Sequence, residues 1–260
     1  MTEYLPPVPA ATLVVFRRAR DGGAAELLMI QRSANMRFVP EATVFPGGRI
    51  DPADVALAER LTGAGGTGCP DIEDGAARVA AIREVLEECG LVIGMDRRVS
   101  ATEVSEARRL LLATGALAPV LEQFGWSLDL ASLVPFARWC PKHRRAFDTR
   151  FYLADLGTGD VELSADDTET SHLFWSSAAR TLDMAREGQA RIIFPTKRNL
   201  ERLAQHASFA AAAAHARAHP VTLITPRVEL RDEVQHLTIP EGLGYPITSA
   251  PLSELERGLD

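Results

Sequence analysis

The run Arg83–Leu91, REVLEECGL, constrains this chain more than any other segment. Val79, Ile82, Val85 and Leu86 recur at helical spacing, so one side of a helix here must pack on another layer. Glu84, Glu87 and Glu88 stand at i, i+3 and i+4 and share one face. Asp74 can cap the start and Gly90 can supply a left-handed stop, which predicts a helix from Asp74 to Glu88. The three carboxylates then crowd the last two turns. There the helix dipole disfavours each anion by ~0.3–1 kcal/mol, and like charges at this spacing repel. An isolated Glu-Glu pair on a helix is ordinarily just a solvated face. Here the apolar back fixes the helix, and a rigidly held carboxylate set suits a cation with a taste for hard oxygen ligands, Mg²⁺ or Mn²⁺.

The flanking pattern mixes strands and helices. Ala11–Arg17 and Glu26–Gln31 read as strands around the turn Asp21-Gly22-Gly23, and Thr43–Pro46 as a short strand before Gly47-Gly48. Asp54–Leu61 has a helical pattern, followed by the Gly-rich breaker TGAGGTGCP. Leu91–Ile93 can continue as a strand. Val104–Ala113 is an amphipathic helix, with an irregular stretch up to Ser132. Phe136–Cys140 and Phe147–Ala154 read as strands, and a short apolar piece ends at Trp175. Thr196–Ala218 is Ala-rich and helical, and Val221–Ile224 can add a late strand. This order implies an α+β fold, an α/β/α sandwich with a mixed sheet between helices.

Composition excludes several classes. A net charge of −7 opposes nucleic-acid binding, which needs a basic field. No apolar run approaches the ~20 residues of a membrane span, and MTEYLPPVPA lacks the basic start and apolar run of a signal peptide. A cytoplasmic protein is expected, with no membrane partner. Cys69, Cys89 and Cys140 are odd in number and widely spaced, against a disulfide framework or a zinc site. Gly63-Ala64-Gly65-Gly66-Thr67-Gly68 matches GxGxxG, but it follows a helical pattern and leads into Cys-Pro, the wrong context for a dinucleotide fingerprint.

Phe45-Pro46-Gly47-Gly48 with REVLEECGL resembles the box of the Nudix hydrolase family, G-x5-E-x7-R-E-U-x-E-E-x-G-U with U aliphatic. Every fixed position of the second half matches. Gly48 and Arg83 lie 35 positions apart where the pattern has 14, an insertion of about 21 residues. The position eight before Arg83, a glutamate in the pattern, is Gly75. The interruption resembles the branch of peroxisomal coenzyme A diphosphatases, and QRSANMRFVPEATVFPGG, LVPFARWCPKHRRAFDTRFYLA and FPTKRNLERLA are similar to that branch as well.

The resemblance implies a single Nudix domain over 1–260, with an insertion at about 51–73 and a helical extension at about 178–218. It implies a metal-dependent hydrolase that cuts the diphosphate of a nucleoside diphosphate linked to another moiety. Coenzyme A or acyl-coenzyme A leads, ahead of ADP-ribose, NADH or another dinucleotide. A Nudix-like binding protein without turnover is the rival of a different class. By position, the Gly48 carbonyl and Glu88 are implied metal ligands, Glu84 and Glu87 further ligands or the water-activating base, and Arg83 their orienting residue. Glu169, six residues before Trp175, stands where many relatives carry an extra acidic residue, with Asp166 and Asp167 competing. Lys142, His143, Arg144 and Arg145 form the one concentrated basic run, suited either to substrate phosphates or to an exposed turn. Arg32, Arg37 and Arg150 are further candidates for the nucleotide. A small-molecule partner is expected, and a homodimer is compatible with the sequence.

Overall fold

Side-chain alternation along two central strands divides the interior in two. In the computed structural model, β1 (Val8–Arg17) sends Ala11, Leu13 and Val15 to one core and Val14 and Phe16 to the other. β2 (Glu26–Arg32) does the same with Leu28 and Ile30 against Leu27 and Met29. Apolar side chains on both faces mean that both faces must be covered, and helices cover them. The structure describes residues 6–34, 40–63, 68–97, 99–142, 146–157, 163 and 170–253.

The remaining strands of the main sheet are β3 (Thr43–Val44), β4 (Gly47–Arg49), β5 (Val134–Trp139), β6 (Phe147–Asp155), β7 (Thr170–Ser177) and β8 (Leu223–Ile224). β1 and β2 pair antiparallel only at Phe16–Leu27 and Arg17–Glu26 and then splay apart. The gap is filled by β3, which pairs with β2, and β4, which pairs with β1 through Ala10–Arg49, Ala11–Gly48 and Thr12–Gly47. On its other edge β1 runs parallel to β6 from Val8–Phe147 to Phe16–Asp155. β5 and β8 extend the sheet beyond β6, and β7 lines the outer edge of β2.

One face carries α1 (Pro52–Gly63), α2 (Ile72–Cys89), α3 (Ala101–Thr114) and α4 (Leu117–Phe124). The other carries α6 (Phe194–Leu203) and α7 (Phe209–Ala218), with α5 (Ala178–Arg186) leading out of β7. The mixed sheet between helices is the expected α+β sandwich. Several details differ from expectation. Asp71, not Asp74, caps α2, accepting from the Asp74 N–H at 2.7 Å. Leu91 and Ile93 are buried but form no strand. The stretch before Ser132 contains α4. The Ala-rich segment is two helices, because Ser208 starts a new one by accepting from Ala211 N–H. A second, three-stranded sheet, β9 (Arg227–Arg231), β10 (Val234–Thr238) and β11 (Ser249–Pro251), was not anticipated. Among the described residues, no helix is long and apolar enough to cross a membrane.

Candidate active site

The site forms where the last turns of α2 meet β4. Gly47 donates its N–H to Glu88 Oε2 at 2.9 Å. It has a φ of 157° and lies so close to β1 that a β-carbon would overlap the Ala11 carbonyl oxygen. A β-carbon at Gly48 would overlap the Glu84 carboxylate. Both glycines are therefore required by close approach, one to a strand and one to an acidic side chain.

Arg83 is buried at 3 % exposure and organises the carboxylates. Its Nε donates to Asp54 Oδ1 at 3.0 Å, and Nη2 to Asp54 Oδ2 at 3.0 Å and to the Arg49 carbonyl at 2.9 Å. Nη1 donates to Glu84 Oε1 at 2.9 Å and Glu87 Oε2 at 3.2 Å. Burial works against the charged guanidinium, but the bonds to Asp54 and the charge of Glu84 outweigh it and raise its proton affinity. Burial pushes Glu84 up to about 7. Arg83 pulls the other way and Glu87 adds to the rise.

Asp54 is the residue that sequence reasoning missed. Counting eight back from Arg83 reaches Gly75, but counting six forward from Gly48 reaches Asp54, which stands in the glutamate position of the box pattern. The inserted chain falls between Asp54 and Arg83, so only the forward count keeps register. What was expected as an insertion from about 51 is in its first half a helix, α1, that carries Asp54 to Arg83. Gly75 has a different task. A β-carbon there would lie 3.3 Å from the Ala58 β-carbon, so it lets α1 and α2 pack closely.

The acidic helix end is also offset from a direction not foreseen. Arg108 of α3 donates to the Glu87 carbonyl from Nη2 at 2.7 Å and from Nε at 3.0 Å. A cation on the terminal carbonyls opposes the dipole that disfavours these glutamates. The three box carboxylates do not converge on one point: Glu84 and Glu87 turn to Arg83, Glu88 to Gly47. Among the described residues, no three metal-ligating side chains are already gathered in a metal-holding cluster.

The other candidates are dispersed. Arg150 pairs with Glu73 at 2.9 Å. Its guanidinium is thus drawn to the first turn of α2, about 16 Å of helix from Glu84. Arg32 ends β2 beside Ala42, with its Nε buried and no hydrogen-bond partner among the described residues. Lys142 is exposed in the β5–β6 turn. Arg37, His143, Arg144, Arg145, Glu169, Asp166 and Asp167 lie outside the described residues. Trp175 is partly buried against the α2 core, with the Arg17 guanidinium 4.4 Å from its ring.

This fold is that of Nudix hydrolases, and the glutamate-bearing helix facing a glycine pair is similar to the site of that class. Three likenesses illustrate this. The chain is 27% identical over 234 residues to the acyl-coenzyme A diphosphatase NUDT19 of Gallus gallus, covering 70% of this chain and 62% of that protein. It is 24% identical over 181 residues to putative nudix hydrolase 7 of Caenorhabditis elegans, covering 69% of this chain and 56% of that protein. The crystal structure of a NUDIX hydrolase from Alicyclobacillus acidocaldarius superposes with a TM-score of 0.66 at 28% identity, over 80% of this chain and 96% of that one. The chain thus spans about three fifths of the length of the curated relatives it matches. No family model matches it.

Proposed function

We propose that this protein is a divalent-metal-dependent hydrolase that cuts the diphosphate of a nucleoside diphosphate linked to another moiety, with coenzyme A or acyl-coenzyme A as the leading substrate. The observation that carries the reading is the surplus of buried and half-buried carboxylate around a single arginine, Arg83. Asp54 already pairs with Arg83 in three hydrogen bonds. Glu84, Glu87 and Glu88 then add negative charge on a rigid helix, and their oxygens are the donors that Mg²⁺ or Mn²⁺ prefers. Glu84 and Glu87 keep part of their surface open, so both can leave Arg83 for a cation without disturbing Asp54.

Glu88, fixed by the Gly47 N–H, and the Gly48 backbone would hold the ion together with Glu84 or Glu87. The ion would supply charge neutralisation at the diphosphate and make water more acidic. Arg83 keeps the carboxylates apart and oriented, and the glutamate not engaged in binding can accept the proton of the attacking water. The substrate preference rests on the similarity to the Gallus gallus diphosphatase and on the interrupted box. A cytoplasmic setting agrees with three cysteines outside any disulfide. A binding-only reading has one support, Gly75 in place of a box glutamate eight before Arg83, and the Asp54–Arg83 pair speaks against it.

The test is turnover with Mg²⁺ or Mn²⁺ against coenzyme A, acyl-coenzyme A, dephospho-coenzyme A, ADP-ribose and NADH. Metal-dependent cleavage with the highest kcat/KM for the coenzyme A compounds is expected. Preference for ADP-ribose or NADH would overturn the substrate, and no turnover of any compound would favour the binding protein.

A further inference from the structure

Eight large apolar side chains are exposed among the described residues, and six of them lie between Val221 and Ile247. The concentration is highest on the second sheet, where Leu230 is 71% exposed and Val228 56%. Every residue of β9 is exposed, on both faces. β9 pairs with β10 along one edge, and no described strand pairs with its other edge. An apolar strand edge left open in this way is a template for another strand.

The hairpin shows which peptide groups are open. Arg231 and Val234 flank a two-residue turn, Asp232-Glu233, whose residues have φ of 48° and 63°. The flanking pair of such a hairpin is hydrogen-bonded, so Arg227, Glu229 and Arg231 turn their peptide groups toward β10. Val228 and Leu230 then turn theirs outward.

We propose that β9 docks antiparallel on β9 of a second copy of this chain, about a two-fold axis through Leu230, joining two three-stranded sheets into one of six strands. The charges select this register. Leu230 meets the partner's Leu230, and Glu229 lies opposite the partner's Arg231. By symmetry this charge pair occurs twice. An axis through Glu229 would set glutamate on glutamate and Arg227 on the partner's Arg231, with no outward peptide groups on the axis. An axis through Val228 would draw Pro226, which has no N–H, into the ladder. An isologous interface of this kind closes on itself, as a dimer requires. The inference is independent of the reading of the active site.

Sedimentation equilibrium of the full chain over a wide concentration range tests it. The wild type is expected to dimerise. Glu229→Arg or Arg231→Glu alone should raise the dimer Kd at least ~10-fold, because two attractive cross-strand pairs become repulsive. The double change Glu229→Arg with Arg231→Glu should restore it. Leu230→Lys, which sets two ammonium groups on the axis, should leave a folded monomer by circular dichroism. A wild type that is monomeric throughout overturns the proposal, as does a dimer indifferent to Leu230→Lys or to the single reversals. A dimer weakened by each reversal but not rescued by the pair overturns the two-fold at Leu230.

Discussion

Two arginines, Arg83 and Arg202, are similarly buried on opposite sides of the main sheet, at 3 % and 2 % exposure, in opposite surroundings. Arg83 meets three carboxylates and a carbonyl. Arg202 donates from Nη1 to the Phe136 carbonyl at 2.9 Å, and its guanidinium carbon lies 4.3 Å and 5.2 Å from the rings of Phe136 and Tyr245. Among the described residues no carboxylate pairs with it. Burial depresses the proton affinity of Arg202, with Tyr245 opposing, whereas the acidic surroundings raise that of Arg83. Desolvation is common to both; the neighbours set the sign. One side of the sheet holds more negative charge than its arginine can match and can recruit a cation. The other wraps an arginine in aromatic rings and uses it to anchor the chain around Tyr245.

The largest expected effect tests that contrast directly. Arg83→Met strands Asp54 as a buried, unpaired carboxylate and should cost about 3–5 kcal/mol of stability. Arg202→Met leaves no carboxylate unpaired and should cost less than about 2 kcal/mol. Urea unfolding of both variants measures the difference. Equal losses would mean that the carboxylates around Arg83 are not what distinguishes the two sites.

Next in size, Glu87→Gln and Glu88→Gln should each lower metal-dependent turnover by at least ~10²-fold while circular dichroism stays unchanged. These changes remove ligand charge and leave packing in place. Wild-type turnover in either variant would detach the acidic side from catalysis.

The smallest effect belongs to the Arg202 side. His206, His215 and His219 form a tilted row with ring centroids 4.4 Å and 4.2 Å apart. Burial, with Arg202, His206 and His219 nearby, lowers His215 to about 4, and burial lowers His206 as well. The unfolded chain therefore takes up protons that the folded one refuses. Stability should be full above pH ~6.5 and fall as the pH drops toward ~4. His215→Gln should flatten this decline in unfolding curves recorded at several pH values. A decline of the same steepness in the variant would place the acid sensitivity elsewhere.

The legible parts of this chain were those where one local rule dominates. α2 was readable because 3.6-residue periodicity and a left-handed Gly90 agree, and β1, β2 and their hairpin because apolar runs flank Asp21-Gly22-Gly23. Asp54 was not, because its role appears only when α1 folds back on α2 across a long insertion. α4 was hidden by Pro119, which a helix tolerates in its first turn but which reads as a breaker. β9 was not read although Val228 and Leu230 alternate with Arg227, Glu229 and Arg231, because the run is only five residues long and its apolar side chains meet solvent rather than a core. The box glutamates stood out as a pattern, yet their present hydrogen bonds to Arg83 and Gly47 depend on tertiary contacts that no spacing encodes.

The parallel pairing of β1 with β6 has a consequence for how the chain acquires its structure. Ala11 finds Arg150 and Phe16 finds Asp155, so the central strand stays open along one edge until more than half the chain is available. Contacts this distant in sequence must meet a large loop-closure entropy before they return any stabilisation, which slows folding. During synthesis the hairpin of β1 and β2 can form early, while the edge destined for β6 remains a sticky, apolar ribbon. The rate at which β6 arrives thus sets how long a nascent chain is exposed to aggregation, and chaperone capture would fall in that interval.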